Sequence, residues 1–153
     1  MALGIGKYFK PAKLPIIPIV LLAVLATISI VPQTPFIITI VMLPIAFIGI
    51  LLSLAWAGFR AVKGHNMDLL GAALSGSAAG LGSVIILSLI LIVLMVLNLP
   101  AHAASAESNA EFMLIIATMI FSLAMAIPIA AIASIFAGAI MGLVGAFVAQ
   151  MKK

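Results

Sequence analysis

Charged side chains cut this sequence into long apolar blocks. None occurs from Leu14 to Phe59, from Leu69 to Leu99, or from Phe112 to Ala149. About 20 predominantly apolar residues cross a bilayer core. The first block is too long for one crossing and is interrupted by VPQTP at 31–35, where two prolines and a glutamine predict a tight turn. The pattern therefore predicts spans at about 14–31, 35–59, 69–99 and 112–149. The expected fold is an all-α integral membrane protein, a bundle of four transmembrane helices forming a single membrane domain over residues 1–153.

The fourth block tests that count. Its 38 residues would make a helix of about 57 Å at 1.5 Å per residue, well beyond the roughly 30 Å hydrocarbon core. Splitting it at Pro128 would place Lys152 and Lys153 on the outer side, and no polar turn accompanies the proline. One helix kinked at Pro128 is expected, with a similar kink at Pro44 in the second span.

Basic residues set the orientation. Lys7, Lys10 and Lys13 precede the first span, Arg60 and Lys63 lie between the second and third, and Lys152 and Lys153 follow the fourth. With four crossings all seven fall on one side, and Glu107 and Glu111 fall on the other. Both termini are expected in the cytoplasm, with the chain multi-pass in the cytoplasmic membrane. The basic N-terminus and its apolar run resemble a signal peptide, but no small-x-small cleavage site closes the run, so it reads as a first span. The cleavage-like LPAHAAS at 99–105 is internal and reads as part of an outer loop.

Composition supports lipid as the solvent. Hydrophobic residues make up 67% and charged residues 7%, against about 25% charged in ordinary globular domains. The formal charge of +4 is spread along the chain, with no basic groove for nucleic acid. The absence of cysteine excludes disulfides, thiolate metal sites and cysteine nucleophiles.

Small residues are placed with more order than composition requires. GAALSGSAAGLGS at 71–83 puts Ala72, Gly76 and Gly80 four apart, beside a second row of Gly71, Ser75, Ala79 and Ser83. The fourth span carries Ala130, Ser134, Gly138, Gly142 and Ala146 at the same spacing. Helices in lipid gain little from hydrophobic contact, so small residues that admit close backbone approach favour packing. The two rows lie at similar depth and run antiparallel. They are expected to pack on each other within the chain, or on another copy.

The spans contain no Asp, Glu, Lys, Arg or His. Ion-coupled carriers generally need an ionisable group at membrane depth. That argues against rotary-ATPase proteolipids and small multidrug exporters, which share the four-span plan. Ser75, Ser77, Ser83, Ser122 and Ser134 offer hydroxyls to a channel path, but the simpler reading is that each bonds a carbonyl one turn back. Arg60 and Lys63 suit anionic lipid headgroups, Asp68 or Asn66 suits the N-cap of the third span, and Trp56 with Phe59 suits an interfacial belt. His102, Glu107 and Glu111 are a weak metal set, and the carboxylates fit the first turn of the fourth span better. No nucleophile triad, phosphate loop, dinucleotide fingerprint or zinc spacing occurs, so no catalytic, cofactor or metal site is expected and the chain is not read as an enzyme. The expected partners are membrane lipids and a homo- or hetero-oligomer, not nucleic acid. The expected function is helix association, as an accessory or structural subunit of a membrane complex or a self-assembling unit. The alternative is an oligomeric channel or transporter that works without intramembrane carboxylates.

Overall fold

The computed structural model describes residues 6–29 and 36–151. The turn expected at 31–35, and Lys152 and Lys153, lie outside the described residues. Four helices account for nearly all of the rest: α1 (Gly6–Ser29), α2 (Phe36–His65), α3 (Leu69–Ser105) and α4 (Asn109–Met151). Each contains a stretch long and apolar enough to cross a membrane, and no strand occurs among the described residues.

The helices outrun the apolar blocks. α1 begins at Gly6 and so includes Lys7, Lys10 and Lys13. Lysine is a good helix former, so the onset of charge does not end the backbone hydrogen bonding of α1. α3 continues through Pro100 to Ser105, so LPAHAAS is helical and not a loop. Its alanines favour helix, and the proline removes only one helical bond. α4 is one continuous helix with Pro128 inside it, and no pair of short segments forms.

Local chemistry explains the ends. Asn66, at φ 50°, takes the left-handed conformation that asparagine tolerates. The Met67 N–H then donates back to the Ala61 carbonyl at 2.9 Å. Asp68 caps α3 by accepting from the Gly71 N–H at 2.7 Å. At the far end Ser108 accepts from the Glu111 N–H at 3.2 Å, and the Glu111 carboxylate accepts from the Glu107 N–H at 2.7 Å. This is close to a capping box. Glu111 lies in the first turn of α4 and Glu107 just before it.

α2 and α3 touch each other and both flanking helices, whereas α1 and α4 do not meet among the described residues. The core is built mainly of alanine. One cluster joins Ala12 and Ile19 of α1, Leu54 and Ala57 of α2, and Ala78 and Ala79 of α3. A second joins Ala61, Val62, Ala72, Ala146 and Ala149. These buried positions crowd the end of the bundle that carries the basic residues. Among the described residues nothing is buried beyond Ser83 in α3 or before Gly138 in α4.

That asymmetry comes with a difference in length. α3 and α4 have 37 and 43 residues, α1 and α2 24 and 30. Gly82 lies beside Ile16. Counting onward at 1.5 Å per residue, α3 ends about 15 Å beyond the described end of α1.

Candidate functional site

Two features stand out on the packed end of the bundle: a seam of backbone contacts and a basic rim. In the seam, a Cβ placed on Gly76 would strike the Gly138 carbonyl, and one on Gly138 would strike the Gly76 carbonyl. Gly80 is set in the same way against the Ser134 carbonyl, and Gly142 against that of Ala72. The three pairs keep one antiparallel register. Ala72, Gly76 and Gly80 are fully packed, as are Gly138, Gly142 and Ala146. Ser134 is half-buried and Ala130 is exposed. Ala130 instead lines a 340 Å³ cavity that side chains from all four helices border.

The seam extends into a third helix. Gly58 of α2 lies on the Gly142 carbonyl, and Gly145 lies on that of Ala55. Sequence reasoning passed over Gly58 and Gly145. The available signal was the pair Gly145 and Ala149, four apart, with Ala57 and Ala61 in α2.

Hydroxyls mostly serve their own helices. Ser75 donates to Gly71 at 2.8 Å, Ser83 to Ala79 at 2.7 Å and Ser134 to Ala131 at 2.9 Å. Ser77 departs from the one-turn-back expectation: its hydroxyl crosses to the Ile135 carbonyl of α4 at 2.9 Å.

Beyond Ser83 the side chains between α3 and α4 change. Leu91, Met95, Met119 and Leu123 line the hairpin here, and among the described residues no glycine does. Between them lies an open groove of about 630 Å³, with Asn98, His102, Thr118 and Ser122 as its polar spots. His102 is thus a helical residue of α3. No group of three His, Asp or Glu side chains comes within metal-binding reach among the described residues, so His102, Glu107 and Glu111 are not gathered into a site.

The basic rim joins α1 to α2. Pro11, Pro15 and Pro18 lie inside α1. Because proline has no N–H, Pro15 leaves the Pro11 carbonyl without its helical donor. Arg60 of α2 donates to that carbonyl at 3.5 Å. The guanidinium also lies 5.8 Å from the Trp56 ring centre, within cation–π range. Lys63 is exposed one turn further on. Trp56 faces outward, but Phe59 packs inward on the cluster around Ala61 and Ala146. Of the two expected belt residues, only the tryptophan is exposed.

No family model matches this chain, and neither a curated protein nor a solved structure is similar to it.

Proposed function

We propose that the chain crosses a membrane four times with both termini in the cytoplasm. It acts there by helix association, as an accessory or structural subunit of a membrane complex or as a self-assembling unit. The reading is non-enzymatic. The observation that carries it is the contrast along α3 and α4. The small-residue rows are taken up within the chain, while the distal half leaves large apolar side chains such as Leu94 and Leu114 exposed along an open groove. Helices of 37 and 43 residues exceed a roughly 30 Å hydrocarbon core even when tilted. The distal groove is therefore the surface on which an apolar partner helix gains most.

Orientation and association are tested together. The chain has no cysteine, so Glu107→Cys and Lys153→Cys report sidedness cleanly. An impermeant thiol reagent added to intact cells should label the first and spare the second. In lipid nanodiscs, Leu94→Gln with Leu114→Gln should shift the particle from a multimer, or a complex with a co-purifying partner, to the single chain. An unchanged mass would end the association reading.

The channel alternative has the 340 Å³ cavity in its favour, with Ser83 and Ser134 on its wall. Both hydroxyls already donate to carbonyls of their own helices, which leaves the wall mainly apolar. Selective solute flux through a purified, reconstituted multimer would nevertheless replace association with transport.

A further inference from the structure

The outer faces of α1 and α2 repeat one design. With 3.6 residues per turn, Lys7, Lys10, Leu14, Ile17 and Leu21 fall on a single face of α1, and all five are exposed. On α2, Ile45, Ile48, Leu52 and Trp56 form an exposed stripe that leads to Arg60 and Lys63. α1 meets α3 through Phe9 and Ile16, and α2 meets α4 through Ala55 and Gly58. Both stripes lie away from those contacts, on either side of the α1–α2 seam. Since Arg60 reaches Pro11, their basic ends are at one level and their apolar lengths run together toward the distal end.

We propose that this face is a binding site for one anionic phospholipid. Its phosphate sits among Lys7, Lys10 and Arg60, and its acyl chains lie over Leu14, Ile17, Ile48 and Leu52. Each part of that molecule has its counterpart here: negative charge at the basic end, hydrocarbon over the exposed apolar stripes, and a tryptophan at the boundary. Arg60 is the anchor because it is half-buried and held in place. Its guanidinium has five donors, the Pro11 carbonyl engages one nitrogen, and Trp56 orders the plane. A guanidinium restrained in this way loses little freedom when it takes a phosphate, whose oxygens match its fork. The proline pattern of α1 thus has a consequence for binding: Pro15 frees the carbonyl that positions Arg60. The site rests on the membrane-spanning reading above, but not on helix association.

Trp56 is the only tryptophan in the chain and lies within the site, so it reports occupancy directly. The protein would be placed in nanodiscs of phosphatidylcholine with increasing fractions of brominated phosphatidylglycerol, or of brominated phosphatidylcholine. Basic residues attract anionic lipid, so brominated phosphatidylglycerol should quench Trp56 half-maximally at a mole fraction at least about tenfold lower than its zwitterionic counterpart. Lys10→Gln should reduce that preference several-fold. Lys13→Gln, which removes the same charge from another face of α1, should leave it intact. Arg60→Gln should abolish it, and Arg60→Lys should restore only part.

Equal quenching by the two lipids would overturn the site while leaving membrane insertion standing. Absence of quenching by either would overturn insertion itself. Equal losses in Lys10→Gln and Lys13→Gln would reduce the effect to diffuse charge and overturn the site. If inorganic phosphate removed the preference where chloride of equal ionic strength did not, a free anion would be the ligand and the lipid proposal would fall.

Discussion

The two halves of the α3–α4 hairpin differ in how their helices meet. Near the basic end, Gly76 and Gly138 set their backbones against each other's carbonyls, and α2 adds Gly58 and Ala55 to the same contact. Toward the Glu107 end, Leu91, Met95, Met119 and Leu123 face a groove instead. In water, large apolar side chains would close such a hairpin because burial removes them from solvent. In lipid that gain is nearly absent, and attraction depends on how closely backbones and side chains fit. On the membrane-spanning reading proposed above, the small side chains make the tight half, and the large ones leave the half proposed to receive a partner.

The strongest challenge to this comparison is Gly76→Leu. Its side chain must occupy the place of the Gly138 carbonyl, and neighbouring backbone cannot yield without separating the helices. The expected loss is about 3 kcal/mol, at the upper end for overpacking. Met95→Leu, a volume-conserving change in the open half, should cost under about 1 kcal/mol. Thermal melting in detergent, followed by far-UV circular dichroism, reads both. If Gly76→Leu melted like the parent chain, the closed half would not be closed by backbone contact.

A smaller effect is expected where α1 is fastened to α2. Arg60→Ala removes a charged donor from the Pro11 carbonyl and a cation from the Trp56 ring. Half-exposed and at 3.5 Å, the pair should contribute about 1 kcal/mol. Pro15→Ala separates fastening from general damage. It supplies the N–H that the Pro11 carbonyl lacks, so in the Arg60→Ala background it should recover much of the lost stability. A second substitution that merely added to the damage would show that the carbonyl is not the point of attachment.

Much of the framework was legible because charge and solvent are coupled. Ten charged side chains in 153 residues leave few places for loops, and most of each helix falls in the uncharged blocks between them. Helix ends were less legible: at Lys7 and again at Pro100 the backbone remains helical where composition changes. The rows on α3 and α4 could be read from their spacing of four. Gly58 could not, because Trp56 and Phe59 flank it and drew attention as belt residues, and because its partner is the backbone of Gly142 far along the chain. The groove was hidden for a similar reason. It depends on which large residues α3 and α4 bring together, and no single span contains that information. The contact of Arg60 with Pro11 joins positions 49 apart, although the orphaned carbonyl itself is written in the proline spacing.

Ser77 offers the smallest and most local test of the closed half. Its hydroxyl is the one among the Ser75, Ser77, Ser83 and Ser134 set that crosses between helices, reaching the Ile135 carbonyl at 2.9 Å. Interhelical hydrogen bonds of this kind average only about 0.6 kcal/mol in membranes, because the separated helices find other partners. Ser83→Ala, which removes a bond within α3, provides the control for loss of a hydroxyl. Ser77→Ala should exceed it by about that amount in melting experiments, and the excess should vanish when Gly76→Leu has already parted the helices. An excess that survives in the Gly76→Leu background would mean that α3 and α4 are held at this level by something other than close approach.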